Sequence, residues 1–192
     1  MLKRLYNWTM SLAKSRHALS ILAIISFVEA SIFPIPPDVL MIPMILALPR
    51  RAFLIAAVTT ISSVLGGMFG YVLGVYLYEE FGRPVLEFYG KTDAFAVFQK
   101  YYKHYGSVIL LFSGITPFPF KVTTILSGAT GLNFGTFAAF TLVGRAVRFF
   151  IVAALLWKFG PPIRDFIEKR LGLVFTAALL LLLGGFLVAW MV

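Results

Sequence analysis

Long apolar runs dominate the chain, and most polar residues fall between them. Residues 2–16 are the first exception. Leu2, Leu5, Trp8 and Leu12 share one helical face, with Lys3, Arg4, Lys14 and Arg16 around it. This predicts an amphipathic helix over 1–17, lying in a membrane interface. Residues 18–48 are apolar and long enough to span a bilayer, but Pro34, Pro36, Pro37 and Pro43 interrupt them. An interior proline removes a hydrogen bond and clashes with the preceding turn, so the pattern predicts a helix–break–helix hairpin that turns back. Residues 52–78 read as an unbroken span. Residues 79–105 are polar and aromatic and predict a surface helix. In it Thr92 serves as a cap, with Phe95, Phe98, Tyr102 and Tyr105 on one side. Residues 106–132 form a second broken segment, around Pro117 and Pro119. Residues 134–157 are a second clean span ending at Trp157. The remainder, 158–192, reads as a charged loop over 158–170 with Pro161 and Pro162, then a last span over 171–191.

The expected fold is therefore an all-α integral membrane protein, built from two re-entrant hairpins and three spanning helices. Composition agrees: 60% of residues are hydrophobic, 13% are charged, and the mean hydropathy is +0.91. A soluble domain of 192 residues has no means of hiding that much apolar surface. The formal charge is +9, with the basic residues mostly at the ends of apolar runs. That distribution suits topology signalling and contact with anionic lipid, and offers no basic face for nucleic acid. The absence of cysteine excludes disulfides and thiol chemistry. His17 and His104 lie far apart, so neither a metal nor any other cofactor is expected. The basic N-terminus followed by an apolar run resembles a signal peptide, but Glu29 and the prolines follow in place of a small-residue cleavage site, so it is read as mature sequence.

A repeat links the two broken segments. FPIPPDV (33–39) aligns with TPFPFKV (116–122) at an offset of 83, placing Asp38 on Lys121. Each copy precedes an unbroken span. Broken helices in paired halves are the usual setting of transporter sites. Five charges fall inside apolar sequence: Glu29, Asp38, Lys121, Arg145 and Arg148. At membrane depth each costs at least about 2.5–3.5 kcal/mol unless it is paired or faces water. Ser62, Gly66, Gly70 and Gly74 recur every fourth residue and predict a close helix–helix contact. Lys and Arg counts place the N-terminus and the 158–170 loop inside, at ten against four if both hairpins turn back and twelve against two if both cross.

Further motifs stand out: FVEA with PIPPD (27–38), GGMFGYVLG (66–74), FSGITPFPFK (112–121) continuing through SGATGLNFGTF, and GRAVRF (144–149). Together they resemble the DedA family, also described by its VTT domain, and most closely its short YqaA-like branch. The resemblance runs over 18–157, the expected membrane domain. It implies two opposed re-entrant hairpins in a bacterial cytoplasmic (inner) membrane. It also implies a lipid-transport role, as flippase or scramblase for a phospholipid or a polyprenyl-phosphate lipid, in some members driven by protons. It assigns function to acids in the first hairpin and bases in the second. Glu29 and Asp38 match the acids and Lys121 one base, while SGITP stands where the family has a further arginine.

On the residues themselves, Lys121, Arg145 and Arg148 suit a phosphate head group, arginine gripping it through two donors at once. Helix starts beside the proline breaks add N–H donors. Glu29 and Asp38 then serve proton coupling or gating. The plainer alternative is that these charges only pair, Asp38 with Lys121 and Glu29 with Arg145 or Arg148. An enzyme is not expected: His104 lacks an acid within a helical turn, and Ser113 and Ser127 lack an evident base. A scaffold using the glycine face for partners is the rival class, and a homo-oligomer is compatible with both.

Overall fold

The structure is a computed structural model that describes residues 15, 17–32, 36–116 and 120–169. Most of the helix expected over 1–17, together with Pro34, Pro117, Pro119 and the span expected over 171–191, lies outside the described residues. The described elements are helical throughout, with no strand among them. They are α1 (Ala18–Ser31), α2 (Asp38–Ala47), a 3-10 turn (Pro49–Arg51), α3 (Ala52–Leu77), a π turn (Tyr78–Gly82), α4 (Arg83–Phe88), α5 (Thr92–Ile115), α6 (Phe120–Ala129) and α7 (Phe134–Lys169). Two stretches, Pro49–Phe88 and Phe134–Gly160, are long and apolar enough to cross a bilayer.

Both proline segments do break. Pro37 precedes α2 with φ −64°, and its carbonyl accepts from Leu40 and Met41 N–H groups at 3.1 and 2.9 Å, starting the helix. Thr116 leaves helical geometry at φ −85°, ψ 166°, the extended conformation that a following proline imposes. Pro43 does not break anything: it lies buried inside α2.

Three expected boundaries move. The surface helix expected over 79–105 is two pieces. The first continues α3 through the π turn into α4. The chain then turns at Gly90, which has φ +60°, and α5 begins at Thr92. Thr92 is the first helical residue rather than a cap, and no side chain caps that end. The second hairpin does not start at residue 106, because α5 runs unbroken into it as far as Ile115. No proline interrupts Thr92–Ile115, and the one early glycine there, Gly106, is buried against Leu132. Its cost against alanine, about 1 kcal/mol, falls on a helix already held by packing. Finally, residues 158–169 are helix rather than charged loop. The backbone kinks at Phe159 (φ −115°, ψ 17°), and Pro161 and Pro162 open the next turn, where a missing N–H breaks no bond.

α3 is the centre of the packing, with α1, α6 and α7 against it. A Cβ on Gly66 would collide with the Phe27 carbonyl of α1, and one on Gly74 with the Ile125 carbonyl of α6. The glycine face thus receives one short helix from each broken segment. Phe53 lies against Phe150 and Trp157 (ring centroids 6.3 and 5.9 Å), while Tyr71 lies against Phe134 (5.4 Å), so α3 and α7 run antiparallel. One apolar cluster joins Ala18, Leu46, Ala52 and Leu156; another joins Tyr102, Leu132 and Phe137 at the opposite end. The outer faces of α3 and α7 expose Ile61, Leu65, Val72, Leu142, Val143 and Ile151, while Arg145 is buried. Apolar side chains outside and a charge inside is the distribution that a lipid solvent selects.

Candidate functional site

Arg145 and Arg148 lie one turn apart near the middle of the apolar part of α7. Side chains at this spacing share one helical face. Around that face four helix ends gather. Glu29 comes from the last turn of α1, Asp38 from the first residue of α2, Thr116 from the end of α5, and Phe120 from the first residue of α6.

Arg145 Nη2 donates to Glu29 Oε2 at 3.0 Å. The guanidinium also stacks on the Phe120 ring, its Cζ 3.8 Å from the centroid. Its side chain is 1% exposed and that of Glu29 17%. Glu29 sits where the negative end of the α1 dipole opposes a carboxylate, so the guanidinium offsets both that dipole and the desolvation. Arg148 Nη2 donates to Asp38 Oδ2 at 2.6 Å, and Nη1 to the Thr116 carbonyl at 3.4 Å. This pair is wetter, at 21% and 22% exposed. Asp38 lies at the positive end of α2, where a carboxylate is favoured. Arg148 thereby links the residue just after the first proline pair to the residue just before the second. The two segments also touch directly, through Thr124 Oγ1 donating to the Ala30 carbonyl at 3.3 Å.

Four of the five charges singled out in the sequence therefore meet. Of the alternative pairings, Glu29 with Arg145 occurs and Asp38 with Lys121 does not; Arg148 takes Asp38, because it projects from α7 between the two breaks. Lys121 is half-buried in the first turn of α6, next to Phe120, and forms no ion pair among the described residues. Pro36 and Pro37 lie at the first break. Gly66, Gly70 and Gly74 are buried against neighbouring helices, whereas Ser62 is only half-buried. Among the described residues no group of three His, Cys, Asp or Glu side chains gathers in a metal-binding arrangement.

Three contributors escaped the sequence reading: the Phe120 ring, the Thr116 carbonyl and the Thr124 hydroxyl. The signal for Phe120 was its place directly before the cation that opens the second helix. The other two act through or onto backbone carbonyls, which no residue type announces.

The VTT domain matches residues 20–158, which hold the whole constellation. The chain belongs to the VTT-domain family, the domain of the DedA proteins. An uncharacterised protein of Haemophilus influenzae is 35% identical over 168 residues, 85% of this chain and 87% of its own length. An uncharacterised protein of Histophilus somni is 34% identical over the same extent. No solved structure matches. Membership of the VTT family fits the apolar helices and places the protein in a membrane, with a transport-related role.

Proposed function

We propose that this VTT protein moves a phosphate-bearing lipid head group across the bacterial inner membrane, through a polar site between two re-entrant hairpins. The supporting observation is the meeting of both helix breaks at Arg145 and Arg148. Those residues lie near mid-span of α7, so both breaks lie near the bilayer centre. α1 and α2 have 14 and 10 residues, roughly 21 and 15 Å of helix, too short to cross a core of about 30 Å. Ala18 at the start of α1 and Leu46 near the end of α2 share one cluster, as a hairpin that returns to its side requires. Tyr102 of α5 and Leu132 beyond α6 share the opposite cluster. The hairpins then enter from opposite faces.

In this reading Arg145, Arg148 and Lys121 receive the phosphate, and Glu29 and Asp38 hold the arginines while no head group is bound. A phosphate displaces the carboxylates and keeps each guanidinium paired, so no buried charge is stripped bare during the exchange. The wetter Asp38–Arg148 pair opens first, and Lys121, without an ion pair among the described residues, supplies a further cation. A released Glu29 or Asp38 is free to take up a proton, which gives the cycle a place for coupling. No covalent bond changes in this cycle, so we infer a transporter rather than an enzyme. The scaffold alternative relied on the glycine face, and the chain's own α1 and α6 occupy it.

The test is reconstitution into liposomes carrying labelled anionic, zwitterionic or polyprenyl-phosphate lipids. Movement of a phosphate-bearing lipid by the wild type, lost in Arg148→Ala, supports the reading. Protein that is folded and inserted yet moves none of the panel refutes it.

A further inference from the structure

Eleven buried serine and threonine side chains lie in the described helices and the turn after α6: Ser26, Ser31, Thr59, Thr60, Ser63, Ser113, Thr123, Thr124, Ser127, Thr130 and Thr141. A buried helical hydroxyl ordinarily satisfies itself on a carbonyl three or four residues back. Nine of the eleven do so: Ser26 on Leu22 at 2.7 Å, Thr59 on Ile55 and Thr60 on Ala56 at 2.8 Å, and the others likewise. Ser63 Oγ and Thr141 Oγ1 do not, although each is 0% exposed and sits in a helix where that bond is within reach of a χ1 rotation. One further buried side-chain atom among the described residues has no hydrogen-bond partner in the protein, and it is Arg145 Nε.

The residues that carry these atoms lie on facing stretches of two antiparallel helices. Thr141 lies one turn before Arg145 on α7, and Ser63 one turn before Gly67 on α3. A Cβ at Gly67 would stand 3.3 Å from Phe120 Cε1 and 3.6 Å from Thr141 Cγ2. Phe120 is the ring on which the Arg145 guanidinium rests. α3 and α7 run antiparallel, so Ser63, one turn before Gly67, and Arg145, one turn after Thr141, lie level with each other across the two helices. Two hydroxyls that both donate and accept, with one N–H that only donates, form a set of partners for a small group able to do both. A buried water normally makes about three hydrogen bonds to groups otherwise unsatisfied.

We propose that Ser63 Oγ, Thr141 Oγ1 and Arg145 Nε form a binding site for a buried structural water on the α3–α7 seam. The water accepts from Arg145 Nε and bonds to both hydroxyls. It fixes the guanidinium from the stem side, leaving the Nη groups to Glu29. The serine and threonine are positioning residues: they hold Arg145 against Phe120 whether or not Glu29 is engaged.

Two measurements on the full-length protein in liposomes test this. In the first, a hydroxyl-radical pulse in isotope-labelled water oxidises side chains beside bound water. Phe120 is 1% exposed, so it takes the isotope only if water sits against it. The label is expected on Phe120 in the wild type and lost in Ser63→Ala/Thr141→Val, with Phe88, 83% exposed, labelled equally in both. The second is the sign of the stability change. If the three atoms hold no water, replacing two unsatisfied hydroxyls by apolar groups leaves the melting temperature unchanged or raises it. If they hold one, the double variant strips its partners and the melting temperature falls, by about 2–4 °C on the usual scale for this size. Should the double variant fail to insert, Thr141→Val alone is read in the same two ways. An unlabelled wild-type Phe120, a label that survives the substitutions, or an unchanged or higher melting temperature overturns the site.

Discussion

Arg148 and Asp38 lie 2.6 Å apart, one near the middle of a spanning helix and the other on the first residue after a proline break. The neighbouring pair, Arg145 and Glu29, is longer at 3.0 Å but far better buried. Burial, not distance, sets what each loss costs. Removing one partner of a buried pair costs about 3–5 kcal/mol, because the other charge is left uncompensated. Glu29→Ala should approach that figure, while Asp38→Ala leaves an arginine with water access and should cost well under it. Thermal stability in detergent should rank wild type, then Asp38→Ala, then Glu29→Ala. The reverse order would mean that the depths of the two pairs are exchanged.

That Glu29, Asp38, Arg145 and Arg148 need partners was legible in the sequence, because a charge in an apolar run is expensive wherever the chain folds. Their partners were not. The offset-83 repeat sets Asp38 on Lys121 in the alignment, and alignment is not contact. Arg148 reaches Asp38 because both breaks abut α7, a property of three helices together. The small-residue stripe packs closely at Gly66, Gly70 and Gly74 but not at Ser62. A strict four-residue spacing advances roughly 40° further than whole turns at each step, so Ser62 has drifted off the face that Gly70 and Gly74 share. Ser63, the next residue, is the buried one. The α5 boundary was missed because polarity changes near residue 106 while the backbone does not.

Close approach on α3 predicts an asymmetry among its small residues. Gly66→Ala drives a methyl into the Phe27 backbone, which has no rotamer to yield, and overpacking of this kind typically costs about 1–3 kcal/mol. Ser62→Ala, on a half-buried position, should be nearly neutral. Equal effects in a melting assay would place the Gly66 contact elsewhere.

Re-entrance predicts a labelling pattern. Cysteines at Ser20 and Arg50, at the two ends of the first hairpin, should react with an impermeant maleimide from the same side of the membrane. A cysteine at Tyr101, beside the opposite cluster, should react from the other. Ser20 and Arg50 labelling from opposite sides would mean that α1 and α2 cross together as one interrupted span.

Proton coupling, if it drives the cycle, has its carrier among the acids released by the head group. Lipid movement should then rise with an imposed proton gradient, and Glu29→Gln should remove that response. The glutamine keeps a carbonyl for Arg145 while losing the titratable group, so the variant should still insert. Gradient-independent movement by the wild type would assign both acids to holding the arginines alone.

The sharpest test of the head-group site uses the arginines themselves. A lysine at 145 keeps the charge but presents a compact ammonium on a flexible stem. It loses the planar surface that rests on Phe120 at 3.8 Å, and it loses the fork that grips a phosphate through two donors. At 148 the lysine cannot reach Asp38 and the Thr116 carbonyl at once through a rigid plane. If the arginines only neutralise Glu29 and Asp38, a lysine at either position suffices and transport stays near wild type. If they bind the head group, each substitution should slow lipid movement about tenfold or more, the equivalent of about 1.4 kcal/mol, while the protein remains inserted and folded. The expected result is loss at both positions, larger at Arg145, where the lost stacking adds to the lost fork. Wild-type rates from both lysine variants would remove Arg145 and Arg148 from the transport path and leave them as struts between the two proline breaks.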